Sequence, residues 1–491
     1  MDEKTIKKIV WDNPVEFFSQ SGKLNLETVW DRYEAMLPEC GFGELGVCCR
    51  NCNMGPCRVD PFGEGPQAGV CGADADIIVA RNLCRMIAAG ASAHSDHGRD
   101  LVEVLESVAA GTAPGYKIRD EAKLKLVAAE YGVAVEDRDT LAIAGDLAQA
   151  MMEDYGMRQK KITLVSRAPA KRQAVWEKAG ITPRGIDRET SEMMHRTHMG
   201  VDNNWITLLV QALRNALSDG WGGSMIATEV SDILFGVPAP KPTTVNAGVL
   251  KKDQVNIVVH GHNPVVSEMV SKACISKEML DLAKAKGATG INLAGVCCTG
   301  NELLMRRGIG MAGNHLMTEL ILGTGAVDMM IVDYQCIMPS IGKVAECYHT
   351  KMISTSDKAQ FPGMEHHEFH PDNAEEKAFD LLKMAIENYA NRKEVYIPVE
   401  PQEAVGGFSI ETIVGALGGT PDPLIDAIKA GKIRGAVGIV GCNNPKIKHD
   451  YGHTTLTRRL IENDILVVVT GCAAVADGKA GFMTPAAAEM A

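Results

Sequence analysis

An α/β architecture, with a helical N-terminal domain followed by two Rossmann-like parallel α/β domains, is what this 491-residue sequence predicts. Three observations carry that expectation. The chain is longer than one ordinary core can fill. Apolar residues recur at helical spacing through its first half. From about residue 250, short β-branched runs alternate with helical stretches.

Residues 1–235 read mainly as helix. DLVEVLESVAAG, RDEAKLKLVAAEYG and WITLLVQALRNALSDG each place apolar residues three and four apart, which forms one apolar stripe. The texture then changes. VNIVVHGH, ATGINLAGVCC, AVDMMIVDYQC, RGAVGIVGC and ILVVVTGC are buried-strand runs separated by helical segments, the pattern of a parallel sheet covered on both faces. Pro and Gly interrupt it near residue 400, at YIPVEPQEAVGG. The expected domains are therefore 1–235, 236–399 and 400–491, the last incomplete.

Composition narrows the function. A net charge of -12 and 5% aromatic residues argue against nucleic acid as a partner, because phosphate binding needs a basic surface and base stacking needs rings. MDEKTIKKIV lacks the apolar segment of a signal peptide, and no apolar run is long enough to span a membrane. A cytoplasmic protein is expected. Fourteen cysteines in such a chain point to metal binding or redox chemistry rather than disulfides.

The densest signal is CGFGELGVCCRNCNMGPCRVDPFGEGPQAGVCG, with Cys40, Cys48, Cys49, Cys52, Cys57 and Cys71. Iron–sulfur clusters take four thiolates, and short Gly-rich loops let one backbone wrap a cubane. Cys49, Cys52, Cys57 and Cys71 make a complete set. Cys40 and Cys48 remain as a pair, and a two-fold axis would supply their other half. Zinc is the alternative, since it also takes four thiolates. Six cysteines with an adjacent pair fit cluster binding better.

A second constellation is spread along the chain. His262, Cys298, Cys336, Cys442 and Cys472 each lie just after a strand-like run. The carboxyl ends of parallel strands converge on a ligand crevice, so these donors would form a soft, mixed S/N metal site. One such cysteine alone would be read as a packed thiol; the group is read as metal-binding. The Cys297–Cys298 pair is ambiguous, because one of two neighbours usually faces a given site. His94 and His97 lie three apart on an expected helix and share a face. Histidine relays protons near neutral pH, although a solvated helix face is the plainer account.

Taken together, CGFGELGVCCRNCNMGPCRVDPFGEG, AHSDHGRD, DGWGGSMIATEVSDILFG, GVCCTGNE, GIVGCNNPK and VVVTGC resemble the anaerobic nickel carbon monoxide dehydrogenases over essentially the whole chain. The resemblance implies interconversion of CO and water with CO2, two protons and two electrons. Cys49, Cys52, Cys57 and Cys71 would hold one 4Fe-4S cluster per subunit. Cys40 and Cys48 would hold another, shared across a homodimer. His262, Cys298, Cys336, Cys442 and Cys472 would carry the nickel–iron–sulfur active cluster, with Cys298 chosen over Cys297 on alignment to the family motif. His94 would act as general base, His97 as the next relay, and Asp219 as an acid beside the active site. Implied partners are a ferredoxin-like electron acceptor, an acetyl-CoA synthase subunit and a nickel-insertion chaperone.

One departure stands out. The family continues past the end of this chain, with a further cysteine ligand and a lysine that steadies the oxygen of the bound substrate. Lys479 sits too early to be that lysine. The expectation is a truncated chain that does not turn over CO as written, unless another chain supplies the rest. A hybrid-cluster enzyme related to hydroxylamine reductases and a non-enzymatic iron–sulfur electron carrier are the alternatives. The remaining motifs are read blandly. GIGMAG follows a helical stretch rather than a strand, so it is not a dinucleotide loop. EHHEFH, with His366, His367 and His370, is an exposed polar loop. Cys84, Cys274 and Cys347 are packed thiols.

Overall fold

The computed structural model describes residues 26–156, 161–397 and 399–491. The chain forms two compact units. One is Met36–Gly236; the other is Val237–Ala491 with the described part of Met1–Ala35.

The Met36–Gly236 unit is built on one long helix, Ala75–Ala109, of 35 residues. At 1.5 Å per residue it runs about 50 Å. Asp74 caps its start by accepting from Ile77 N, which satisfies one of the otherwise unpaired first-turn amides. Its buried stripe includes Ile78, Cys84, Ala88, Ala91, Leu101 and Leu105. The helices Thr140–Tyr155, Ile186–Arg196, Trp205–Ser218 and Ser224–Phe235 pack against it, and each fully buried Leu or Ile contributes about 2 kcal/mol. A π-helical bend, Asp219–Gly223, joins the last two. Ahead of the long helix, the cysteine segment forms a small antiparallel ladder of β1 (Cys48–Cys49) and β2 (Cys57–Arg58).

In the second unit the apolar runs become strands: β3 (Lys241–Val245), β4 (Val255–Gly261), β5 (Ile291–Val296), β6 (Gly310–Gly313), β7 (Val327–Val332), β8 (Lys351–Ser354), β9 (Glu365–His366) and β10 (Gln402–Gly406). Among the described residues these form one eight-stranded sheet in the order β10-β3-β6-β5-β4-β7-β8-β9. Only β10 is antiparallel to its neighbour. Every residue of β4 and β7 is buried, as expected for central parallel strands covered on both faces. Val258, Ala294, Val296, Met330 and Val332 meet Leu316, Leu320 and Ile341 in its main core.

The chain steps from β4 through β5 to β6 in one direction, then returns to lay β7 on the other side of β4. The strand order therefore reverses between β4 and β7, the point at which open α/β sheets bind ligands beyond their strand ends. Two further strands, β11 (Gly435–Ile439) and β12 (Ile465–Val469), pair in parallel as a separate sheet. β10 lies beyond the textural change near residue 400, yet it joins the larger sheet.

Gly308 ends the helix Cys297–Arg307 in a left-handed conformation, φ 70°, and β6 follows, so GIGMAG is a helix stop leading into a strand. Cys84 and Cys274 are buried. Cys347 is not a packed thiol: it is exposed, because it sits at the C-cap of Ser340–Glu346 beyond that helix's buried face. No helix among the described residues is long and apolar enough to cross a membrane.

Candidate metal centres

The N-terminal cysteines divide by strand geometry. Successive residues of a strand point to opposite faces, so Cys48 and Cys49 diverge; Cys49 is buried and Cys48 half-buried. Cys49 pairs directly with Cys57 across the ladder. Cys49, Cys52, Cys57 and Cys71 then line one small pocket, with Gly55, Gly69 and Arg81 also in its wall. Cys40 and Cys48 do not line it.

The walls suit an anionic sulfur-rich group. Val70 N donates to Cys57 Sγ at 3.5 Å, and Arg81 Nη1 reaches Cys71 Sγ at 3.9 Å. A Cβ on Gly69 would lie 3.2 Å from Cys57 Cβ, and one on Gly55 would lie 2.8 Å from Cys49 O. Both glycines thus let the backbone close on the thiols. The Cys71 thiol is held below its ordinary value, first by the Ala73 amide and also by the Arg81 guanidinium. Four thiols around one pocket, with amides and an arginine, match what a 4Fe-4S cluster requires.

In the same unit, His94 and His97 lie on the long helix, and His94 Nδ1 meets Asp219 Oδ1 at 2.8 Å. Asp219 begins the π-helical bend, and Ser224 Oγ donates to the same carboxylate oxygen at 2.8 Å. Two glycines permit this approach. A Cβ on Gly223 would lie 2.8 Å from Ser95 N, and one on Gly98 would lie 2.7 Å from Gly223 O. The bend therefore rests directly on the helix backbone beside His94. A π-bulge carrying a polar side chain is a frequent functional device.

The second set of donors gathers at strand ends of the other unit. β11 and β12 end in register at Ile439 and Val469, and Cys442 and Cys472 each follow three residues later. His262 follows β4, Cys298 follows β5 and Cys336 follows β7. The β4 and β7 loops are tied by one carboxylate: Asp333 Oδ1 accepts from His262 N at 2.6 Å, Asn263 N at 3.2 Å and Tyr334 N at 2.5 Å.

Four thiols are joined in a ring. Cys336 hydrogen-bonds Cys297 and Cys442, and Cys472 hydrogen-bonds the same two. Within this ring Cys442 is the thiol most readily ionised, held low by hydrogen bonds from Cys336 and then Cys472. Burial pushes Cys297 and Cys298 up. Cys298 senses Cys336, Cys472 and Cys442 electrostatically but is not part of the ring. Cys297 and Cys472 are buried, Cys298 and Cys336 half-buried and Cys442 exposed. Metal coordination would ionise each thiol that serves as a ligand.

Two members of this site escape a sequence reading. His315 Nδ1 lies 3.8 Å from Cys472 Sγ, and the donor atoms of Cys297, His315 and Cys336 all fall within 4.8 Å of one another. His260, in β4, is 1% exposed and electrostatically coupled to His315. His315 was hidden because it follows β6, a four-residue Gly-rich strand without β-branched residues. The letters GNH beyond GMAG were the available signal.

Residues 47–491 match the Prismane/CO dehydrogenase family. The chain belongs to that family. Carbon monoxide dehydrogenase 1 of Methanosarcina acetivorans is 54% identical over 99% of this chain and 79% of its own length. The beta subunit of the carbon monoxide dehydrogenase/acetyl-CoA synthase of Moorella thermoacetica is 42% identical over 100% of this chain and 74% of its own. A nickel-free carbon monoxide dehydrogenase from Thermococcus sp. AM4 superposes with a TM-score of 0.97 at 52% identity, covering 99% of this chain and 78% of that one. Family membership at this identity confirms the mixed α/β fold and leaves the hybrid-cluster alternative unfavoured.

Proposed function

We infer that this chain is an oxidoreductase of the carbon monoxide dehydrogenase type, interconverting CO and water with CO2, two protons and two electrons. The observation that carries the reading is the convergence of thiols and imidazoles from several strand ends on one crevice, in a chain of this family. When bound there, a nickel–iron–sulfur cluster supplies a soft metal for CO, a Lewis-acid metal for water and storage for two electrons.

The protein's own part is to hold and to move protons. His262, Cys298, Cys336, Cys442 and Cys472 are the proposed holders of the active cluster, with Asp333 fixing the loops of two of them. His94 is the proposed base. Its Nδ1 is committed to Asp219, which leaves Nε2 as the basic nitrogen. His97, one helical turn on, is the proposed next carrier. Cys49, Cys52, Cys57 and Cys71 hold the cluster that passes electrons onward. Cys40 and Cys48, outside that pocket, would hold a cluster shared with a second copy, from which a ferredoxin-like protein takes the electrons. Likeness to a subunit of an acetyl-CoA synthase complex supports association with such a partner. A reducing cytoplasm suits the free thiols.

CO-dependent viologen reduction by the chain, purified without oxygen and reconstituted with iron, sulfide and nickel, tests the reading. Turnover is the result this reading expects, and it would overturn the sequence-based expectation that the chain as written is inactive. A fully reconstituted chain that reduces no viologen refutes it for this polypeptide. The dimer is tested separately: Cys40→Ala or Cys48→Ala should remove one cluster per two chains, and unchanged iron counts refute the shared site.

A further inference from the structure

We propose that Asp450 is a positioning residue: acting through Asn443, it aims a backbone N–H at the Cys472 sulfur and thereby raises the reduction potential of the cluster that Cys442 and Cys472 help to hold. The proposal rests on the reading above in taking those two thiols as cluster ligands. The tether itself is a property of the metal-free chain.

The contacts form one chain of hydrogen bonds. Asn443 directly follows Cys442 and is 6% exposed. Its side chain is engaged at both ends: Nδ2 donates to Asp450 Oδ1 at 2.6 Å, and Oδ1 accepts from Asp450 N at 3.2 Å. Its backbone amide donates to the Cys472 sulfur. Asp450 Oδ2 meets Lys479 Nζ at 2.5 Å. Lys479 is the last residue of the helix Gly471–Lys479, whose second residue is Cys472. One carboxylate therefore joins the loop of Cys442 to the far end of the helix that carries Cys472.

Asp450 is an expensive choice for a merely structural joint. It is 7% exposed and takes a left-handed conformation, φ +64°, ahead of the helix Tyr451–Ile461. Burial opposes its charge, yet Lys479 and then His449 hold the carboxyl below its ordinary value. His449 closes over the pair, with Nε2 3.4 Å from Lys479 Nζ and its ring edge-on to Trp30. A buried ion pair is a weak source of stability, because desolvation offsets the attraction. What this one supplies is a fixed orientation for Asn443.

The effect on a cluster has a definite sign. Reduction adds negative charge, part of it on the sulfurs, and an N–H donor to a ligand sulfur favours the reduced form. Losing the donor therefore lowers the potential. Asn443→Ala keeps the backbone N–H and removes only the tether, so it should act in the same direction as loss of Asp450.

Two measurements test the proposal. In the metal-free chain, the amide of residue 443 should be protected from hydrogen exchange. After correction for its intrinsic rate it should exchange at least about tenfold faster in Asn443→Ala, as for the loss of one hydrogen bond. Asp450→Ala/Lys479→Met should do the same without leaving a lone ammonium buried. Asp450→Asn/Lys479→Met, which restores an acceptor for Asn443 Nδ2, should return exchange towards the wild-type rate. In the reconstituted chain, redox titration followed by electron paramagnetic resonance should give a lower potential for the active cluster in the first two variants and rescue in the third. Thr457→Val is the control for general loosening. It breaks another buried hydrogen bond between the same two helices, Thr457 Oγ1 to Asp477 Oδ2 at 2.6 Å, and should leave both readouts unchanged. An unprotected Asn443 amide in the wild type, an unchanged potential in Asn443→Ala, or an equal shift in Thr457→Val overturns the proposal. A reconstituted wild type that holds no such cluster fails the enzyme reading instead, and the exchange pattern still decides the tether.

Discussion

Gly261→Ala attacks the switch point between β4 and β7. Gly261 has φ +140°, and a Cβ there would lie 2.1 Å from Oδ1 and 2.4 Å from Cγ of Asp333. Ordinary contact begins at 3.4 Å, so the carboxylate must move by more than 1 Å. Asp333 is 5% exposed and accepts from the amides of His262, Asn263 and Tyr334. The backbone conformation costs about 1–3 kcal/mol in a non-glycine residue. Displacing the acceptor from buried amides costs about 1–3 kcal/mol more for each amide left without one. About 4 kcal/mol is the expected local loss, which speeds hydrogen exchange of the amides at 262, 263 and 334 by roughly 1,000-fold. Exchange read by mass spectrometry on peptides spanning these residues is the assay. The cause is tested in Gly261→Ala/Asp333→Ala, where the clash is gone. The double variant should cost at least about 1 kcal/mol less than the sum of the single ones. A rise under about tenfold, or strict additivity, refutes the reasoning.

Other perturbations follow from the same geometry. Asp219→Asn keeps the shape of the π-helical bend but weakens its hold on His94 Nδ1. CO oxidation should fall and its pH profile shift, while His94→Ala should cost about 10²–10⁴-fold; an unchanged profile in Asp219→Asn removes that pair from the proton path. In the metal-free chain, alkylation of Cys71 should rise with pH and level off below 9.0, because its thiol is held low by the Ala73 amide and by Arg81. Cys84 and Cys274, pushed up to about 11 and about 12 by burial, should stay unreactive there, and a Cys71 plateau at or above 9.0 counts against the account. Burial pushes the Asp477 carboxyl from 3.8 up to about 6, with Thr457 partly opposing. The folded state then holds this proton more tightly than the unfolded chain. Its contribution is present below about pH 4 and is lost as pH rises through about 6, amounting to about 3 kcal/mol. Asp477→Asn should flatten that window in denaturant unfolding; an unchanged slope between pH 4 and 7 would falsify the assignment.

Much of this was legible in one dimension. The strands β4, β5, β7, β11 and β12 are visible as short apolar runs, although the fully buried β4 and β7 carry Asn256, His260 and Asp328, and β11 and β12 alternate between half-buried and exposed positions. Cys49, Cys52, Cys57 and Cys71 are legible as a set because a short loop wraps the group it binds, so its ligands stay close along the chain. The family follows from the motifs together. What the sequence left open concerns residues far apart in number. β6 is too short and too glycine-rich to be recognised, so His315 stayed hidden. β10 lies past an apparent boundary and still completes the sheet.

Sequence alone supplied candidates for the chemistry, since thiols, imidazoles and strand ends are local properties, but His315 and His260 were not among them. Only the tertiary structure decided which of those residues meet. Cys297 joins Cys336, Cys442 and Cys472 in a ring although they follow four strands, β5, β7, β11 and β12, of two sheets, and Cys297 itself has a left-handed backbone conformation. His94 meets Asp219 because Gly98 and Gly223 let a bend lie on a helix backbone. Those pairings depend on distances of a few ångströms between segments that are dozens to more than a hundred residues apart. No periodicity in a sequence encodes such a distance, because it is set by how whole layers pack.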